Sequence, residues 1–439
     1  MRAYFAAMLM VTAIGWCAAA AANVELPAAR NLRERGEVLA GKGDDVRAIA
    51  DYTRAIAISP DDELARRDRG DAYDDQGDET RAIADYSRAI ALDPHDAAAF
   101  AGRGYAENRQ GRYDVAISDY TVAITCDPRS AEAWANRGQA YDNEGRHDKA
   151  ISDETRAIAI KPDYAAAFEM RGYAFAEQGQ TDRALADYDR AIHFDAGYAD
   201  AYHDRGNAYD DKGDEARAQA DFDRAVALAP DDVTLFDDRA RVEDKLGEFS
   251  RAETDLARAL ILRPRYAPAY RDLGDLYDDE GDEDAAILQY SRAIVLDPKD
   301  TTAWNNRGYA YSHENRFDLA IGDFDHALEL EPDNASAYAN RGDANWHEGH
   351  EDAAIADYSH ALKIDPHNVD AMIGRGNAYA AKGQDLRAIG EYDHALSVSP
   401  RYAQAYYRRG LAKLRIGDDT GSSKDFTMAS NIDPDVMRR

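Results

Sequence analysis

Three histidines recur at one even spacing, at His326, His360 and His394. Such a ladder invites a metal, because neutral imidazole is a common ligand. Zinc, however, holds its ligands at ~2 Å, whereas packed helices lie ~8–10 Å apart. Successive rungs cannot easily share one ion, and the ladder reads as a solvated face. Three acidic runs could attract calcium: DDQGDE (74–79), DDKGDE (210–215) and DDEGDED (278–284). They lack the alternating ligand order of an EF-hand loop. Their leading aspartates also fall where a helix should end, and there the dipole disfavours anions by ~0.3–1 kcal/mol each. No phosphate-binding glycine loop, HExxH or G-x-S-x-G occurs. The expectation is a chain that recognises rather than reacts, with no catalytic residue, metal or cofactor.

Two sets of residues suit recognition. The first is acidic: Asp200, Asp204, Asp210, Asp211, Asp237, Asp238, Asp244, Asp272, Asp275, Asp278 and Asp279 are opposed only by Arg241, Lys245 and Arg271. Carboxylates gathered together attract cations; the bland alternative is that they share a generally acidic surface. The second set is amide-rich and aromatic: Asn305, Asn306, Tyr309, Ser312, His313, Asn340, Asp343, Trp346 and His347. An amide donates and accepts at once, which suits the backbone of an extended peptide. Trp346 is a suitable anchor, unless its ring packs against its own neighbours.

What positions these residues is a repeat. The stretch RGDAYDDQGDETRAIADYSRAIALDP (69–94) recurs at a fixed shift, marked by prolines from Pro60 to Pro434 and broken only at Ala196. Twelve windows follow, 29–62, 63–96 and so on to 403–436. A period of this length implies a one-dimensional stack of identical units. With places numbered from the start of each window, apolar residues at three- and four-residue spacing predict helices over places 1–14 and 18–31. Glycine at place 15 (Gly77) should close the first helix, Asp78 should cap the second, and Pro94 should end it. Gly at place 8, Ala at places 20 and 27, and aromatics at places 4, 11 and 24 read as core packing. Arg at place 7 and an acid at place 23 occur in the same eleven windows and vanish together in the eighth, at Leu273 and Gln289. This predicts an ion pair between the two helices of one repeat. Glu154 replaces an aromatic at place 24 and so needs a partner or a groove-edge position. Irregularities at Ala196-Gly197, Ala240 and Leu256 place any bend between 195 and 245.

The pattern resembles the tetratricopeptide repeat (TPR). The resemblance implies an all-α fold: a right-handed superhelical α-solenoid of about twelve helix-turn-helix repeats. It also implies that places 2, 5, 6, 9, 12 and 13 line a concave groove that binds protein. Asn306 and Asn340 then match the place-6 asparagine ladder of family members that hold a peptide backbone. The chaperone-binding pattern of a cation at place 5 with Asn at place 9 occurs in no window: Arg33, Arg67 and Arg271 face Glu37, Asp71 and Asp275.

The formal net charge of −31 disfavours nucleic acid and anionic membranes and favours basic partners. Arg2, the apolar run Tyr4 to Trp16 and the alanines to Ala22 have the layout of a signal peptide cleaved after Ala22. The run is short of the ~20 residues of a membrane span, and Trp16 is bulky for a lipid attachment signal at Cys17. Residues 23–28 form a short lead-in and 437–439 a tail; Cys126 would be left as an unpaired thiol. These readings predict a non-enzymatic scaffold, periplasmic or secreted, that binds an extended or basic protein segment. The alternatives are a structural or oligomerising envelope element, or the recognition arm of a separately encoded enzyme.

Overall fold

The computed structural model describes residues 26–436. The expected signal peptide, Cys17 and the tail lie outside the described residues. Within them the chain forms 24 α-helices, two to each repeat window, and no strand. The second window is representative, with helices at Glu63–Asp75 and Glu79–Leu92. Its second helix therefore occupies places 17–30, one residue earlier than expected. The cause is Asp78, which accepts from the Arg81 amide at 3.0 Å and fixes the start. Gly77, at φ +72°, ends the first helix, its N–H donating to the Asp74 carbonyl and that of Asp78 to Tyr73. In the ninth window Asn315 takes the left-handed conformation instead, at φ +57°. Asp93 is extended before Pro94. The first helix begins at Pro27, two residues ahead of its window, because proline is preorganised for the first helical turn.

The chain divides into two compact units between Asp214 and Glu215. The division falls inside the stretch 195–245, in the turn of the sixth repeat. The first unit holds five complete helical hairpins and the helix Ala199–Asp211. The second starts with Glu215–Leu228 and continues through six hairpins.

Most hairpins are closed by one ring, the exceptions at place 24 being Glu154 and Leu256. The place-24 side chain, Tyr86 for example, is buried and lies across the place-8 glycine of the facing helix. A Cβ on Gly70 would come within 2.8 Å of that ring. Alanines such as Ala82 and Ala89 are fully buried, letting the helices approach.

The arginine struts link helices as well. Arg69 donates from Nε and Nη2 to Asp85 at 2.6 and 2.8 Å. The same two-pronged pair joins Arg103 to Asp119, Arg137 to Asp153, Arg307 to Asp323 and Arg409 to Asp425, among others. The remaining nitrogen, Nη1, reaches place 25 of the preceding repeat: Arg69 to Thr53, Arg307 to Ser291, Arg341 to Asp325. One guanidinium thus ties its own hairpin and the one before it. In the eighth repeat, where Leu273 and Gln289 remove the strut, the preceding place 25 is Ala257. All three partners are lost together.

Glu154 is fully buried against Gly138, where no N–H reaches its carboxyl and Asp142 is its carboxyl partner. Burial, with the charge of Asp142 beside it, raises its carboxyl well above the usual range, so that it sits in the core as a neutral acid.

Candidate peptide-binding groove

Within each unit the first helices of successive repeats touch one another, whereas the second helices make no comparable contact. The first helices therefore form the inner face, and places 5, 6, 9, 12 and 13 line it.

In the first unit this face carries a chain of charges. Arg67 pairs with Asp68 and with Asp96 at 3.4 and 3.2 Å. The buried Tyr86 hydroxyl donates to Asp71 at 2.7 Å. Further along, Tyr198 donates to Glu169 at 2.9 Å, and Glu169 faces Asp204. Burial and mutual repulsion push up the Glu169 carboxyl, and burial pushes up that of Asp204. Two carboxylates so placed share a proton rather than offering two charges to a ligand. Glu169 lies in the fifth window, just ahead of the acidic stretch that begins at Asp200, and so was missed as a site residue. Asp200 and Asp211 are exposed, and Asp210 is half-buried.

The expected acidic stretch is divided: Asp200, Asp204, Asp210 and Asp211 belong to the first unit and the rest to the second. In the second unit Arg241 pairs with Asp238 at 3.0 Å, and Arg271 with Asp272 and Asp300 at 2.9 and 3.3 Å. Asp237 is buried, and its carboxyl is pushed up to about 8 by that burial and by Asp272 and Asp238. Burial likewise pushes Asp272 and Asp244 to about 6. Asp278 is raised as well, chiefly by burial. The formal charge of this stretch overstates what it carries at neutral pH. Glu243, at the usually aromatic place 11, is buried, receives Arg251 at 2.8 Å, and is raised to about 7 by desolvation. The sequence signal for it was the break in the aromatic series.

From the eighth to the tenth repeat the lining changes character. Tyr290 donates to Asp275 at 2.7 Å, and Asn306 donates to the same Asp275 oxygen at 2.9 Å. Asn305 donates to Asn306 and Asn340 to Asn305, each at 3.2 Å. This is a continuous polar row across three repeats, with every amide oriented by its neighbour and donors to spare. Asp343 is fixed the same way by Tyr358. Tyr309 packs on His313 at 4.3 Å, and His347 lies parallel to Phe317 at 4.9 Å. Trp346 is half-buried, packed against a cluster that includes Tyr358, Ala371 and Ala378. That cluster joins its own repeat to the next. The ladder histidines lie elsewhere: His326 and His360 rest on Trp304 and Tyr338 of their own repeats, at 4.6 and 5.0 Å.

Tetratricopeptide-repeat models match residues 67–131, 120–152, 172–213, 199–232, 274–313, 301–334, 335–368 and 376–417. The chain belongs to the tetratricopeptide repeat family. As a TPR protein it shares its fold with a chain of the APC/C hetero-tetramer Cut9–Hcn1 (14% identity, 95% of this chain and 97% of that chain, TM-score 0.52). Yeast Tom70 is 17% identical, with 91% and 99% of the chains covered and a TM-score of 0.47. MamA is 27% identical over 39% of this chain and 94% of its own, with a TM-score of 0.36. Comparison with curated protein sequences yields no match. TPR arrays are protein-interaction scaffolds, and this one presents the inner face such scaffolds use. Among the described residues, no helix is long and apolar enough to cross a membrane.

Proposed function

We propose that this TPR protein is a non-catalytic scaffold of the bacterial cell envelope. It holds an extended, basic segment of another protein along its inner face. The observation that carries the reading is the row Tyr290–Asp275–Asn306–Asn305–Asn340. Its amides are held in register across three repeats by their own hydrogen bonds and so are preorganised for a peptide backbone. The net charge of −31 supports a basic partner, and the leader-like stretch from Met1 to Ala22 supports export.

The test is a pull-down from envelope extract, followed by titration of the purified partner segment between ~0.05 and 0.5 M salt, over which the Debye length shortens severalfold. Affinity should fall across that range and should fall further in Asn306→Ala/Asn340→Ala. A basic partner whose binding ignores both salt and the asparagines would overturn the reading. Detection of the chain in the cytoplasm with Met1 to Ala22 still attached would remove the envelope assignment.

A further inference from the structure

One hairpin of the second unit lacks its ring. The seventh repeat has Leu256 at place 24 and, alone among the twelve, Ala240 instead of glycine at place 8. In the eighth repeat, the equivalent Tyr290 covers Gly274 and hydrogen-bonds Asp275. In the seventh, a cavity of about 120 Å³ stands in that position, floored by Ala240, Ala252, Leu256 and Leu276. This is room for several water molecules. It opens among the inner-face residues Arg241, Asp244, Arg271, Asp272 and Asp275. Two acceptors in its walls are buried and receive no N–H donor, Oδ2 of Asp272 and Oδ1 of Asp244, although Arg241 and Arg271 also line it. The Asp272 side chain is only 10% exposed, and its other oxygen is taken by Arg271 at 2.9 Å. Unmade bonds to buried carboxylates are costly, so the site is poised for a donor.

We infer that this cavity takes the guanidinium of an arginine side chain from the bound segment. The vacated footprint is that of a flat ring, and a guanidinium is flat, is more weakly hydrated than an ammonium and carries five donors in a rigid fork. Asp272 and Asp244 come from first helices of successive repeats, so one planar cation between them satisfies both. The apolar floor would meet the face of the group, and the carboxylates its edge. Arg271 already reaches Oδ1 of Asp272 and Asp300, and Arg241 pairs with Asp238, which leaves Oδ2 of Asp272 for the incoming group. The inference rests on the groove reading above and gives that reading a residue preference.

The experiment is calorimetric titration of the full chain with N-acetyl-arginine methylamide at low salt, with the lysine analogue as control. Saturable binding of the arginine compound, at least about tenfold tighter than the lysine one, is expected. Ala240→Gly/Leu256→Tyr restores the ring found in the other hairpins. It should abolish that binding while leaving the urea midpoint equal or higher. Asp272→Asn keeps the shape and should weaken binding roughly tenfold or more, which decides the matter even if the double variant folds poorly. Equal binding by the filled variant, equal binding of lysine, or no saturable binding to the wild type would each overturn the assignment. Asn306→Ala/Asn340→Ala should lower partner capture and leave the arginine compound bound. Failure of the groove reading is thereby distinguished from failure of the cavity.

Discussion

Repeats seven and eight differ from repeats nine and ten in what stands behind the inner face, and that difference sets what the face can do. In repeats nine and ten, Phe324 and Tyr358 cover Gly308 and Gly342. Arg307 and Arg341 tie each hairpin to the one before. The surface in front, Asp343 apart, is uncharged and ordered by amides. At the junction of repeats seven and eight there is no strut and no place-24 ring in the seventh hairpin. The surface in front holds carboxylates that burial has pushed towards neutrality. A regular core supports a preorganised polar row; an irregular one leaves a cavity and unmade bonds. Variation in the framework, and not only at the inward places, shapes the groove.

The comparison breaks most directly at the strut. Asp323→Ala leaves the half-buried Arg307 without its carboxylate and should destabilise by about 3–5 kcal/mol, seen as a lower urea midpoint. Installing the missing strut by Ala257→Ser/Leu273→Arg/Gln289→Asp should change stability by less than about 2 kcal/mol either way, since a paired buried ion and an apolar contact are near equivalents. A similarly large loss from both variants would show that the eighth repeat is packed around Leu273 and cannot accept the strut. Gly308→Ala should follow in size: its Cβ would meet the Phe324 ring at 2.8 Å, an overpacking worth about 1–3 kcal/mol. Ala240→Gly in the seventh repeat should lie within about 1 kcal/mol of wild type, because there is no ring to relieve.

Much of this was legible in the sequence. The repeat period indicated the helix pairs to within one or two residues, and the joint loss of Arg and acid at Leu273 and Gln289 placed the strut inside one repeat. Ala257 carried the same signal for the link between repeats, but it lies outside the pair being compared. The groove contacts were not legible. Asn306 reaches Asp275 across 31 residues, Asn340 reaches Asn305 across 35, and Arg67 reaches Asp96 across 29. None of these is the period, because side chains lean between rotated neighbours. Nor could composition distinguish a solvated aspartate from Asp237, which is buried with one oxygen unpartnered.

That burial predicts a pH dependence with a definite sign. Asp237, Glu243, Asp272 and Asp244 have folded-state values of about 8, 7, 6 and 6, all above those of the unfolded chain. Groups raised in this way bind protons in the folded state that the unfolded state has released. Their stabilisation is full in acid and is lost as pH rises through the folded values. The unfolding free energy from urea titration should therefore decline between pH 5.5 and 8.5, by an amount on the order of 1–3 kcal/mol. Asp237→Asn should flatten the upper part of the curve. An equal replacement in the amide region, Asp343→Asn, should change the slope less, because that carboxyl is accessible and held by Tyr358. A curve that rises over this range would mean that the carboxylates of repeats seven and eight are solvated.

The smallest effect tests how the amide row is held. Tyr290→Phe removes one hydroxyl, costs about 0.5–1.5 kcal/mol in stability, and leaves the ring over Gly274 in place. Asp275 then keeps only Asn306 as a donor. If the row is preorganised from its carboxylate end, loosening Asp275 frees Asn306 and, through it, Asn305 and Asn340. Partner affinity should fall about twofold to fivefold, although the mutated atom lies behind the groove. The matching change two repeats further, Tyr358→Phe, releases Asp343, which no asparagine of the row contacts through the bonds seen here. It should cost the same stability with less effect on affinity. Equal losses of affinity from the two hydroxyls would place the binding determinant in general rigidity of the hairpins. A loss confined to Tyr290 locates it in the row itself.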